Sequence, residues 1–380
     1  MKVIEIRGHH VGFEPSPPIG NARTMIRRRE FLLLELITDT GERGWGEVFS
    51  SPDAAAAFLR ARLAPLVLGQ SPSRFRAIWE RMIGTLGYDR RGPGMMAISA
   101  VDMALCDLAA RERNISVSAL FGGPLRDRVF AYGSGPFITE APDPYAHYAQ
   151  EVDRCLALGY RAMKPRAGVS PGADGRMAAA MRKQVGPDIG LMVDINQAYT
   201  APAAIASARE MAEARLLWIE EPVEPEDIPG YAAVARSASI AVAGGEALAS
   251  AAAFRDFLVA DTMSILQPDL TVCGGYTGFL RIAALAAAFD LPVMPHVFGT
   301  IVNHQAALQV AALLPSKRGG GPASYPYVEV DVSNNPLLHL QGEVRPNADG
   351  TLSVPDAPGT GLAFKEEQLE PWRREVWRCN

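Results

Sequence analysis

Apolar and polar positions change their rhythm once along this chain. Up to about residue 127, apolar runs at residues 2–6 and 29–38 predict two strands, separated by a Gly/Pro-rich stretch at residues 10–23. Asp39-Thr40-Gly41 predicts a turn into a further strand at residues 44–48. Helical periodicity follows at residues 51–66, 73–83 and 94–112. In the last, Ile98, Val101, Ala104, Leu105 and Leu108 form an apolar stripe, and Gly122-Gly123-Pro124 closes the region. Residues 1–127 thus read as a small α+β domain.

From residue 128, short apolar strands alternate with helices. Strands are expected at residues 129–132, 162–164, 191–193, 218–220, 240–243, 265–267, 292–294 and 325–328, with Ala/Leu-rich helices between them, such as residues 201–214 and 276–289. Eight strands with helical crossovers favour a closed α/β barrel. An open doubly wound sheet is the alternative, but the scattered glycines form no strand–glycine-loop–helix fingerprint for a dinucleotide. No long amphipathic helix follows Glu329; the chain passes through Asn334-Asn335-Pro336, a short hairpin near residues 346–351 and a Gly/Pro-rich run. The expected fold is a (β/α)7β barrel at residues 128–340, a modified TIM barrel, with residues 341–380 packing back on the N-terminal domain.

Composition narrows the partners. The 380 residues are 48% apolar, enough for a large core, and the net charge of −5 is spread without a basic block, which argues against a nucleic-acid partner. Cys106, Cys155, Cys273 and Cys379 are too widely spaced for a metal knuckle or redox pair. The opening MKVIEIRGHH reads as a strand rather than a secretory signal. Residues 291–315, the least charged long segment, carry Pro292, Pro295, Asn303 and Gln305, which lipid would leave unsatisfied. The expectation is a cytoplasmic enzyme with no membrane partner.

The strand ends carry acids in phase. Asp194 ends the third strand in LMVDIN, Glu220 the fourth in LLWIEEP and Glu246 the fifth in VAGGEAL, at intervals of 26 residues, about one strand–helix repeat. Three carboxylates at one level on the C-terminal edge of a barrel repel one another unless protonated or joined by a cation, and Mg2+ suits them, with Mn2+ as a substitute. Helix capping or surface salt bridges are the competing reading. Lys164 and Arg166, at the end of the second strand, either hold a substrate carboxylate beside these acids or are solvated charges. His296 ends the seventh strand in VMPHVFGT, one repeat after Asp269 in ILQPDL. A carboxylate beside imidazole raises its proton affinity and fixes its tautomer, giving a base usable near neutral pH. Glu329, in YVEVD, is placed either to donate a proton or hydrogen bond or to form a structural salt bridge, and the same choice applies to Asp331.

The ordered set MKPR, VDINQAY, WIEEP, GGE, QPDLTVCGG, MPHVFGT and YVEVDVSNNPL, with RREFLLLELITDTGERGWGE and AISAVDMALCDLAARERNISVSALFGG before it, resembles the enolase superfamily in its mandelate racemase and muconate-lactonizing branch. The resemblance covers nearly the whole chain. It implies an N-terminal capping domain over a (β/α)7β barrel, Mg2+ held by Asp194, Glu220 and Glu246, and an Asp269–His296 dyad that takes the proton α to a carboxylate to give a metal-stabilised enediolate. It also implies that Glu329 hydrogen-bonds the enediolate, that Lys164 adds electrostatic stabilisation, that the loops at residues 10–23 and 48–52 cover the pocket, and that the protein is a homo-oligomer.

Arg166 departs from the family's K-x-K pair. A guanidinium stays protonated, so it binds anions or hydroxyls rather than accepting protons. Single-base elimination therefore outweighs two-base racemisation. The leading expectation is dehydration of an acid sugar to a 2-keto-3-deoxy acid, with Asn196, Arg166, Arg90 and Arg91 as polar candidates for substrate binding. Sugar-lactone cycloisomerisation and racemisation or epimerisation of a 2-hydroxy acid compete with it, and a noncatalytic sugar-acid binding protein is the remaining alternative.

Overall fold

A computed structural model describes residues 1–87 and 90–380. The N-terminal part is built on an antiparallel sheet in which Val3–Phe13 lies between Arg29–Thr38 and the C-terminal strand Arg373–Cys379, and Arg43–Val48 pairs with the outer side of Arg29–Thr38. The leucine run of Arg29–Thr38 is buried on both faces, which explains why it does not alternate. Helix Pro93–Arg111 lies across Arg43–Val48 so closely that a Cβ at Gly46 would fall 1.9 Å from the Ala100 carbonyl oxygen. This helix is long and apolar enough to cross a membrane, but most of it is buried within the protein as the core of the capping domain.

The second part is an α/β barrel. Parallel pairing runs from Arg128–Ser134 to Ala162–Lys164, on to Gly190–Leu191, and through the Arg166–Asp194 bridge to Val193–Asp194. It continues through Ile219–Glu220, Val242–Gly244 and Ile265–Leu266, while Tyr327–Asp331 pairs back onto Arg128–Ser134. The seventh strand, expected at residues 292–294, narrows to a single bridge between Leu266 and Val293, because Pro292 and Pro295 flank it and donate no N–H. The hairpin expected near residues 346–351 is a turn closed by the Asn347 N–H on the Thr351 carbonyl (2.8 Å). The strand after it, Thr351–Ser353, pairs antiparallel with Arg128–Ser134.

The barrel interior explains where the chemistry sits. Tyr132, Ala162, Met192, Trp218, Ala243, Ile265, Met294 and Tyr327, one from each strand, form a single buried apolar cluster. Side chains two apart share a face of a strand, so the next inward positions towards the C-terminal edge are Ser134, Lys164, Asp194, Glu220, Gln267, His296 and Glu329. The fifth strand breaks the rule: Gly245, at φ 121°, holds the inward position and Glu246 follows it. A polar ring therefore lies directly on an apolar plug.

Arg29 ties the two parts together. Its guanidinium donates to Asp331 (2.5 Å) and to the Phe298 carbonyl, and lies over the Phe298 ring at 4.1 Å from the centroid. Asp331 is thereby a structural ion pair, and Arg29 holds its carboxyl below the usual range despite burial that pushes the other way.

Candidate active site

Asp194 and Glu220 are register partners on adjacent strands, and with Glu246 they bring carboxylate oxygens within 4.8 Å of one another. Backbone and side-chain donors fix two of them: Asp194 Oδ1 accepts the Asn196 N–H (2.9 Å), and Glu220 Oε2 accepts from Trp218 Nε1 (2.9 Å) and Gln267 Nε2 (2.6 Å). Glu246 is less satisfied. Its Oε2 is buried without a well-aligned hydrogen bond, although His296 Nε2 lies 3.2 Å away. Burial, with the charges of Asp194 and Glu220, pushes its carboxyl up to about 7 against the opposing pull of His296. Glu221, the second acid of the EE pair, is held by Gln197 Nε2 (2.8 Å) and is driven well above the carboxylate range by burial and by Glu246. Three acids with oxygens converging on one point, one of them without a well-aligned donor, fit a hard divalent cation.

Lys164 is fully buried. Its ammonium bonds Glu220 and lies 3.2 Å from Glu329 Oε1 and 3.5 Å from Asp194 Oδ2. Burial disfavours its charge, yet Glu220 and Glu329 hold it protonated well above the ordinary lysine range. Arg166 donates to Asp194 and to Ser134 Oγ (3.1 Å), and its guanidinium lies 5.4 Å and 5.3 Å from the ring centroids of Phe137 and Phe298. Burial opposes its charge as well, and Asp194 outweighs it.

His296 Nδ1 lies 2.7 Å from Asp269 Oδ2. The other Asp269 oxygen accepts from the Thr271 N–H and hydroxyl, both at 2.7 Å. Burial depresses the imidazolium, but Glu246, Glu329 and the Asp269 hydrogen bond push its pKa up to about 10. Glu329 accepts the Val297 N–H (3.1 Å), and although burial raises its carboxyl, Lys164, His296 and Arg166 bring it down to about 2. It is an ionised acceptor in this arrangement.

A cavity of about 130 Å³ is lined by Arg166, Asp194, Asn196, Glu246 and His296 from the barrel, together with Phe137 and Phe298, and by Gly20, Asn21, Ile26 and Phe49 from the N-terminal part. Ile26, Phe49 and Phe298 also line a wider vestibule of about 600 Å³, which includes Arg28, Ser50 and Asp53. Asn196 reaches the cavity with a buried, unpartnered Oδ1. Arg90 and Arg91 do not line it: both are exposed, and Arg91 donates to Glu226 at 3.2 Å. Sequence reading missed the aromatic walls Phe137 and Phe298, and it missed Gln267 and Ser134, which the two-residue inward period from Ile265 and Tyr132 would have found.

Residues 3–122 match the mandelate racemase/muconate lactonizing enzyme N-terminal domain, and residues 147–368 match the enolase C-terminal domain-like family. The chain belongs to the mandelate racemase/muconate lactonizing branch of the enolase superfamily. It is 34% identical over 376 residues to a D-galactarolactone cycloisomerase of Agrobacterium fabrum, covering 98% of this chain and 99% of the relative. It is 31% identical over 362 residues to a D-gluconate dehydratase of Thermoproteus tenax, covering 90% of this chain and 70% of that protein. The structure of an L-talarate dehydratase from Polaromonas sp. JS666, complexed with Mg and L-glucarate, superimposes with a TM-score of 0.85 at 29% identity, covering 100% of this chain and 99% of that one.

Proposed function

We propose that this protein catalyses a one-base β-elimination from a hydroxylated sugar acid, with His296 removing the proton α to the substrate carboxylate. One observation carries the reading. His296 lines the cavity with Nε2 towards Glu246 while Nδ1 is held by Asp269, whereas Arg166, where a second base would stand, is a guanidinium bonded to Asp194. Asp194, Glu220 and Glu246 would hold Mg2+, which supplies Lewis-acid polarisation of the substrate carboxylate and so acidifies its α-hydrogen. The chain's own groups do the rest. The buried Lys164 ammonium offsets negative charge as it develops on the carboxylate. Glu246 contributes most to holding His296 as an imidazolium; with that carboxylate engaged by Mg2+, Asp269 would keep the remaining proton on Nδ1 and Nε2 would present its lone pair. Asn196 and Arg166 offer a hydrogen-bond acceptor and a fixed cation to substrate hydroxyls, and Phe137 and Phe298 exclude water from one side.

Loss of the β-hydroxyl as water makes the reaction a dehydration, and protonated His296 returns the proton to the departing oxygen on the same face. A second reading is favoured by the 34% identity to a lactone cycloisomerase: a lactone ring oxygen at the β-carbon leaves as a carboxylate and needs no proton. Hexarates, hexonates, pentonates and their lactones, incubated with Mg2+ and analysed by mass, separate the two. Loss of water identifies a dehydratase, and ring opening at equal mass a cycloisomerase. Inversion without elimination contradicts the one-base reading.

A further inference from the structure

Two buried carboxylates of the N-terminal part grip the barrel at the helices that follow the two dyad residues in the chain. Glu47, on Arg43–Val48, is fully buried and accepts the Thr300 N–H (3.0 and 3.2 Å to its two oxygens), the Thr300 hydroxyl (2.6 Å) and the Asn303 N–H (3.0 Å). Every one of these partners donates to Glu47, and their hydrogen bonds favour its ionised form against burial, which pushes the carboxyl up to about 7. The approach is too close for a side chain, because a Cβ at Gly299 would lie 2.1 Å from Glu47 Oε1. Asp102, on helix Pro93–Arg111, is likewise buried and accepts the Thr277 N–H (2.9 Å) and hydroxyl (2.7 Å); a Cβ at Gly275 would lie 2.5 Å from its Oδ2. These contacts sit at the first turns of helices Ile301–Ala311 and Gly275–Ala288, the helices that follow His296 and Asp269 in the chain.

Glu47 reaches further than its own helix. Asn303, whose backbone it holds, points its side-chain Nδ2 at Asp269, 3.4 and 3.5 Å from the two carboxylate oxygens. A chain of buried groups therefore runs from the capping domain through Thr300 and Asn303 to Asp269 and His296. Two of the three metal-candidate acids, Asp194 and Glu220, are fixed separately, by Trp218, Gln267 and the backbone of Asn196, while Glu246 faces His296.

We infer that Glu47 is a positioning residue for the base: a capping-domain carboxylate that sets the segment after His296 and, through Asn303, the orientation of Asp269. This rests on the proposed role of His296. It makes the capping domain part of the proton-transfer apparatus as well as a cover for the pocket.

The test reads the dyad with and without turnover. In Mg2+-loaded full-length protein, the Nδ1 proton shared with Asp269 gives a far-downfield proton NMR signal that His296→Asn lacks. Glu47→Gln is expected to broaden or abolish that signal while leaving Mg2+ affinity unchanged. On the substrate found by the acid panel, kcat falls by about 10- to 100-fold with KM little altered, the scale of an outer-shell partner's loss. Glu47→Asp restores part of both. Thr300→Val, which removes one donor to Glu47 together with the hydroxyl that caps the Val302 N–H (3.2 Å), gives the same pattern more weakly and serves if Glu47→Gln does not fold. An unchanged signal and a kcat within about two-fold of wild type in Glu47→Gln overturn the inference alone. Equal losses in Mg2+ affinity, KM and kcat also overturn it, because they mark a purely structural role. Absence of any His296-dependent signal in the wild type removes the dyad itself, and the inference with it.

Discussion

His296 and Asp269 meet at 2.7 Å through Nδ1, while the other ring nitrogen of His296 faces Glu246 at 3.2 Å. The imidazole is clamped on one side and open to the cavity on the other. Asp269→Asn keeps the shape but turns an acceptor into a group that can donate, which favours the tautomer with the proton on Nε2. Turnover is expected to fall on the order of 10²- to 10⁴-fold, as for other carboxylates that orient a catalytic histidine. Steady-state kinetics on the panel substrate check it, with KM expected to change little.

Glu246 is the metal-candidate acid least satisfied by the protein itself. Glu246→Gln removes a charge where Asp194 and Glu220 already crowd one another. Mn2+ affinity, read by electron paramagnetic resonance, should weaken more than about ten-fold, the lower end of what loss of an outer-shell partner costs. Unfolding of the metal-free variant should be no easier than that of wild type, since substitution relieves repulsion.

Arg166→Lys replaces a permanent cation with one able to lose its proton. In D2O, the variant should exchange the α-hydrogen of the recovered substrate with inversion, whereas wild type returns unreacted acid of one configuration. Chiral chromatography of the recovered acid decides.

His304, on helix Ile301–Ala311, is buried with both ring nitrogens unpartnered, and burial, aided by nearby His339, lowers its pKa to about 4. The unfolded chain protonates this histidine near pH 6.5 and the folded protein only near pH 4. Stability is therefore intact above pH 6.5 and falls as the pH drops through that window, by on the order of 3 kcal/mol. His304→Leu should flatten that part of the stability–pH curve in urea titrations.

The 26-residue spacing of Asp194, Glu220 and Glu246 was legible because one strand–helix repeat returns the chain to the same level of the barrel, and the structure brings those three acids together. Asp269 and His296 followed the same logic, one repeat further on. Residues that meet only across the fold were not legible. Phe137 and Phe298 come from different strand ends, and Glu47 lies 253 positions from Thr300 in the chain. The charges of Arg90 and Arg91 suit an acid substrate, but the structure leaves them on the surface, outside the cavity. The seventh strand was legible at residues 292–294, but Pro292 and Pro295 reduce it to one bridge at Val293.

The central claim is that His296 takes the α-proton. Its most direct test is His296→Asn, loaded with Mg2+ and given the panel acids in D2O, with α-hydrogen exchange and product formation followed by NMR beside wild type. The account predicts that wild type forms product and that the variant shows neither product nor exchange while still binding Mg2+. Product formation by His296→Asn at a rate near that of wild type would contradict it.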